Sequence, residues 1–154
     1  MEKRITLIKN FISVDECNIL LNKYKNELDI DIQFLNKKLN DYLKKMKFIG
    51  GDVIISEIKF YSISTENINP IFTTESDYDI TLLIALNSDF EGGRFIFLNQ
   101  QTNKNLHIDN SSGDMITFFS NIKYGNNKII SGIKHYLKIN INNILNSNLP
   151  KSLI

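Results

Sequence analysis

The sequence predicts an α+β chain that is mostly β, with a helical first third followed by a sandwich or barrel of short strands. Three observations lead there. Apolar residues recur at helical spacing between residues 13 and 46. From Val53 onward, short runs rich in Ile, Phe and Tyr alternate with Gly, Asn, Ser and Asp clusters about every 8 to 12 residues, the rhythm of a sandwich or barrel. The 154 residues are 42% hydrophobic, enough for one sizeable core, so a single domain over 1–154 is expected.

Taken in order, Ile5 to Leu7 reads as a short opening strand. Ser13-Val14-Asp15-Glu16 reads as a capping box, in which Ser13 accepts a backbone N–H and Glu16 reaches back. Cys17, Leu20, Leu21, Tyr24 and Leu28 then follow at helical spacing, and Lys and Asn fill the other face. A second helix is expected from near Asp31. It sets Leu35, Leu39, Tyr42, Leu43 and Met46 on one stripe, opposite a solvated face of Lys37, Lys38, Lys44 and Lys45, and Gly50-Gly51 ends it.

Val53 to Ser64 begins the strands. Ile80 to Leu86 is almost continuously apolar, as a strand covered on both faces must be. Phe95 to Leu98, Leu106 to Ile108, Met115 to Phe119, Lys128 to Ile130 and Lys134 to Ile141 follow. They are separated by Ser111-Ser112-Gly113-Asp114, Gly125-Asn126-Asn127 and Ser131-Gly132. Gly92-Gly93 reads as a turn requiring positive φ, Cys17 as a packing residue, and the polar stretch after Asn142 as a fraying tail.

Composition excludes several classes of function. Eighteen basic and 17 acidic residues leave a net charge of +1, so no global field exists to hold nucleic acid or an anionic membrane. A lone cysteine forms no internal disulfide and no thiolate cluster, which suits a reducing compartment, cytoplasmic or nuclear. No apolar run is long enough to span a bilayer, and Met1-Glu2-Lys3-Arg4 does not lead into a signal core. With 26 Ile, 21 Asn and 16 Lys, whose codons are A/T-rich, the composition points to an A/T-rich genome such as that of a large DNA virus, a parasite or an A/T-rich bacterium. A Ser/His/Asp triad, a phosphate loop, zinc spacing and basic-aromatic interleaving are all absent.

The second half carries a resemblance. Ile80-Thr81-Leu82-Leu83-Ile84-Ala85-Leu86-Asn87 followed by Asp89-Phe90-Glu91-Gly92-Gly93-Arg94-Phe95-Ile96-Phe97, then Gly113-Asp114-Met115-Ile116-Thr117-Phe118-Phe119-Ser120-Asn121, resembles the prolyl 4-hydroxylase-like family of iron and 2-oxoglutarate dependent oxygenases. Ser131-Gly132-Ile133-Lys134-His135-Tyr136-Leu137 is similar to the segment closing that family's core, and Phe11-Ile12-Ser13-Val14-Asp15-Glu16-Cys17 to the entry of its first helix. The ordered set covers about residues 5 to 141. It implies a double-stranded β-helix (jelly-roll) with N-terminal helices packed on one side.

The resemblance also implies a ligand set: a His, an acid two residues later and a distal His around iron, with a basic residue gripping 2-oxoglutarate. Two residues apart on a strand places both side chains on one face. Carried onto this chain, the first pair falls near Thr73-Thr74-Glu75, with a register good to a residue or two, and the distal position falls on Tyr124. No histidine occurs before His107, so no shift of register supplies the first ligand. Only the basic residue is retained, as Lys134, which grips an anion as a point charge rather than a fork. Tyr61 falls where the family often places a tyrosine facing the cofactor pocket.

The implied function is therefore that of a catalytically inactive oxygenase-fold protein with no expected cofactor, similar to degenerate domains found in poxviruses. It would bind a host protein and modulate oxygen sensing or innate DNA sensing. The alternative is an active Fe(II) and 2-oxoglutarate dioxygenase with atypical ligands, either Glu75 with Tyr124 or the literal set His107, Asp109 and His135. Two points weigh against that literal set. Residues 107 to 109 lie after the Gly92-Gly93 turn, not before Ile80, and if Lys134 points into the barrel then His135 points out. Both histidines are expected to be partly exposed and structurally ordinary.

Overall fold

The computed structural model describes residues 5–45, 53–66, 72–99 and 101–143. Two helices and ten strands follow in the order β1 (Ile5–Ile8), α1 (Val14–Lys25), α2 (Gln33–Lys45), β2 (Val53–Ile63), β3 (Ile80–Ala85), β4 (Glu91–Gly92), β5 (Phe95–Asn99), β6 (Lys104–Ile108), β7 (Met115–Phe119), β8 (Tyr124–Asn126), β9 (Ile129–Ser131) and β10 (Lys134–Asn143). Met46, Gly50-Gly51 and the tail beyond Asn143 lie outside the described residues.

The capping box at α1 forms as its sequence requires. Ser13 Oγ accepts from the Glu16 amide at 3.1 Å, and Glu16 Oε1 accepts from the Ser13 amide at 2.9 Å. The same carboxylate oxygen accepts from Lys38 Nζ at 2.7 Å and so ties α2 to the start of α1. Leu28 departs from expectation. The helix ends at Lys25, Glu27 takes a positive φ of 56°, and Leu28 is 50% exposed rather than part of the buried stripe.

The strands form a five-stranded antiparallel sheet in the order β1-β7-β3-β10-β2, faced by a three-stranded sheet β6-β5-β8 and a two-stranded ribbon β4-β9. The five-stranded sheet has a core on each face. On one side Leu20, Leu35 and Leu39 from the helices pack with Leu82, Ile84, Leu137 and Ile139. On the other, Leu83, Ile116 and Tyr136 pack with Phe95, Phe97 and Tyr124 of the three-stranded sheet. Every residue of β3 is buried, which accounts for its almost continuous apolar run, and its one hydroxyl, Thr81, is satisfied by Asn140 and Ser120.

Two strands escaped the sequence reading. Glu91–Gly92 pairs with β9, and Tyr124–Asn126, whose last two residues read as part of a Gly125-Asn126-Asn127 turn, pairs with Phe95 to Phe97. Both are three residues or fewer, too short for a period-2 pattern to register, and tertiary pairing decides them.

The turn before β7 locks β1, α1 and β3 together. The Ile12 amide donates to the Gly113 carbonyl at 3.1 Å, and the Gly113 amide donates to the Ala85 carbonyl at 2.8 Å. Asp114, 2% exposed, accepts from the amides of Asn10 (3.0 Å) and Ser111 (2.9 Å) and from Lys9 Nζ (3.3 Å). Burial raises the Asp114 carboxyl, but the two amides and the Lys9 charge outweigh it and hold the group below its ordinary value.

Two expected outcomes follow from this turn. Gly113 sits at φ +90°, and a Cβ there would overlap the Ile12 carbonyl oxygen. Gly113→Ala should therefore destabilise the chain by at least ~2 kcal/mol in urea unfolding, against a few tenths at an unconstrained loop site. Asp114 has a lowered folded pKa, so its stabilisation is present above the unfolded value and lost as pH falls through the folded one. Asp114→Asn should cost ~2 kcal/mol at neutral pH and flatten the acid limb of the stability curve below about pH 4. An unchanged acid limb would assign that limb to other carboxylates.

Candidate functional site

Strand alternation along β10 builds the site. Lys134, Tyr136, Lys138 and Asn140 face the space between the two sheets, whereas His135, Leu137, Ile139 and Ile141 face the helices. On the neighbouring strand β2, Glu57 pairs with Asn140, Lys59 with Lys138 and Tyr61 with Tyr136. The facing β8 brings Tyr124, whose backbone exchanges both hydrogen bonds with Thr73, at 2.9 and 3.0 Å. The Glu75 amide donates to the Ser120 carbonyl at 2.9 Å, fixing the segment that leads into β3.

These bonds bring three sequence-derived positions together. Thr73 and Tyr124 form a bridge, and Tyr124 donates its hydroxyl proton to Glu75 Oε2 at 3.2 Å. The other oxygen, Glu75 Oε1, accepts from Lys138 Nζ at 2.9 Å and from Asn140 Nδ2 at 3.2 Å. Asn140 Nδ2 also lies 3.1 Å from Glu57 Oε1, and its own carbonyl oxygen accepts from Thr81 Oγ1 at 2.7 Å. The Lys138 ammonium stands 4.9 Å from the Tyr61 ring centroid.

Electrostatics fix the protonation states. Burial, reinforced by the Glu75 charge, pushes the Tyr124 phenol far above its ordinary value, so it keeps its proton and serves as a donor. Burial alone pulls Lys138 down, but its bonds to Tyr61 and Glu75 prevail and raise it, so it stays an ammonium. The donors at these positions are therefore a neutral hydroxyl, a carboxylate already engaged on both oxygens and a protonated phenol, with a fixed positive charge beside them. Ferrous iron favours imidazole and carboxylate, and this set does not fit it.

Lys134 occupies the far end of the same face. It is 1% exposed, and its Nζ donates to the Gly93 carbonyl at 2.6 Å and to Asn126 Oδ1 at 2.8 Å, while lying 3.3 Å from the Phe95 ring centroid. Burial pulls it down to about 7, with the Asp109 charge acting weakly the other way. Tyr61 stacks on Tyr136 at 5.3 Å between the two lysines. Nothing in the sequence reading singled out Lys138, Asn140, Glu57 or Asn126. A signal was present: from 134 to 140, Lys, Tyr, Lys and Asn alternate with His, Leu and Ile, a polar-in period of two on a strand whose other face is apolar.

The literal set His107, Asp109 and His135 does not assemble. His107 is exposed on β6, and Asp109 is bound at the surface to Arg94 Nε at 2.9 Å. His135 points to the opposite side of the five-stranded sheet, stacked on Phe60 at 5.6 Å with Nδ1 2.7 Å from Ser62 Oγ. It is only 6% exposed, which corrects the expectation of a partly exposed ring, because helix α1 covers that face through Tyr24 stacked on Phe60. Among the described residues, no group of three or more His, Cys, Asp and Glu side chains is arranged to hold a metal ion.

No protein-family model and no curated protein matches the chain. Solved structures do. The viral collagen prolyl hydroxylase of Paramecium bursaria Chlorella virus 1 superposes with a TM-score of 0.71 at 18% identity, over 92% of this chain and 90% of that one. HygX from Streptomyces hygroscopicus, with nickel and 2-oxoglutarate bound, gives 0.65 at 12% identity, over 91% and 82%. An oxidoreductase of the 2OG-Fe(II) oxygenase family from Burkholderia pseudomallei gives 0.58 at 13% identity over 68% of this chain, which spans about half (51%) of that longer protein. At such identities the likeness establishes the fold: this chain has the jelly-roll of the 2OG-Fe(II) oxygenases with two helices against one face.

Proposed function

We propose that the chain is a catalytically inactive protein of the oxygenase fold that acts by binding another protein. One observation carries the reading: the carboxylate at the acid-ligand position is bonded by the Tyr124 hydroxyl and the Lys138 ammonium, where the chemistry of the fold needs two imidazoles and a divalent ion. Further support comes from Lys134, whose ammonium already serves Gly93 and Asn126. The backbone is that of the oxygenase jelly-roll, while the interior donors do not suit turnover. A protein of this kind engages an active relative's partners without competing for its cosubstrate. The composition fits a viral source, and the partner is then a host protein of oxygen sensing or innate DNA sensing. No described helix is long and apolar enough to cross a membrane.

The alternative, an active dioxygenase using Glu75 with Tyr124 or the His107 set, is separated by direct measurement. The purified chain, supplied anaerobically with Fe(II) and then with 2-oxoglutarate and oxygen, should bind no stoichiometric iron and release no succinate above a buffer control. Stoichiometric iron with succinate formation that His107→Ala or Glu75→Gln abolishes would refute the inactive reading. Capture from host lysate should return a reproducible protein partner, retained by Lys134→Met, whose side chain lies inside the fold.

A further inference from the structure

We propose that the ammonium of Lys138 takes the place of the metal ion in this fold, as a resident cation built into the chain. Lys138 Nζ is 2.9 Å from Glu75 Oε1, the carboxylate at the acid-ligand position, whose second oxygen accepts from Tyr124, the residue at the distal-ligand position. The lysine enters from β10, four residues after Lys134 on the same inward face, and only 8% of its side chain reaches solvent. Glu75 is comparably enclosed at 11%. A carboxylate so buried requires a counter-charge, and in an oxygenase site the ion supplies it. Here a covalently attached monovalent cation does, with the Tyr61 ring face 4.9 Å from it, while the Asn140 amide donates to the same carboxylate oxygen. Glu75 and Tyr124 are thus held together through the carboxylate, while Thr73 joins them through its backbone bridge to Tyr124, its hydroxyl donating to the Thr74 carbonyl.

The inference rests on the inactive reading only in taking residues 73, 75 and 124 as the ligand positions, and it predicts more than inactivity. Restoring both imidazoles should not restore a metal site while the lysine remains. Cobalt(II) titration followed by visible absorption compares three full-length proteins: the natural chain, Thr73→His/Tyr124→His, and that double variant with Lys138→Ala. The expected result is no binding by the first, and affinity about 100-fold higher in the third than in the second, since a fixed positive charge within ~4 Å repels the ion. Equal affinity in the second and third overturns the role of Lys138 and leaves the inactive reading standing. Stoichiometric binding by the natural chain overturns both.

Should the triple variant fail to fold, Lys138→Ala alone decides the matter. Its thermal midpoint should fall and be partly restored by ethylammonium chloride, but not by equal tetramethylammonium or sodium chloride. An unchanged midpoint, or equal response to all three salts, overturns the proposal.

Discussion

The buried pair of Lys138 and Glu75 is the constraint around which the concave side of this protein is arranged. Either charge alone would cost several kcal/mol to hold away from water. Together they are acceptable because each finds further partners: Glu75 takes the Tyr124 hydroxyl and the Asn140 amide, and Lys138 rests by the Tyr61 ring. The consequence is topological as well as electrostatic. Glu75 belongs to the connection before β3, Lys138 to the last strand of the five-stranded sheet and Tyr124 to the three-stranded sheet. One carboxylate thereby fastens a connection and both sheets at a point where apolar packing alone gives no directional preference.

The same strand that supplies Lys138 explains why counting histidines along the sequence misleads. Residues 134 and 135 are adjacent, yet strand alternation sends Lys134 toward Phe95 and His135 toward Phe60, with the sheet between them. A histidine at 135 cannot join a site built from 134, 136 and 138, whatever its spacing from His107 and Asp109. The parity of a strand is a stricter test of a proposed ligand set than the ligand motif, because it is imposed by backbone geometry and allows no compromise short of a bulge. In β10 the register shift comes only between Asn140 and Ile141, beyond the residues at issue.

Much of this was legible in the sequence, and the reasons differ by element. The capping box of α1 and the apolar stripe of α2 are local, so Ser13, Glu16, Leu35 and Leu39 declared themselves. The doubly covered β3 was readable because burial on both faces selects apolar side chains at nearly every position, Thr81 alone being polar. Thr73, Glu75 and Tyr124 were named from family spacing, and the chain joins Thr73 to Tyr124 by a backbone bridge and Glu75 to the Tyr124 hydroxyl. What stayed hidden depends on contacts across long loops. Lys138 lies 63 residues from its carboxylate, and Tyr124–Asn126 becomes a strand only because Phe95 to Phe97 offers it a free edge. The burial of His135 needed knowledge that Tyr24 and Phe60 stack above it.

This chain shares its jelly-roll with solved oxygenases at under 20% identity, so the fold rests on features that do not require close sequence likeness. The packing face of β3 and the turn of Gly113 and Asp114 answer to folding, and neither depends on a metal. Ligand positions answer to two demands, catalysis and the neutralisation of a carboxylate at the meeting of two sheets. If the first demand lapses, the second persists, because an unpaired buried Glu75 would destabilise the fold whether or not it ever bound iron. The chain meets the second demand with Lys138, on a strand already aimed inward.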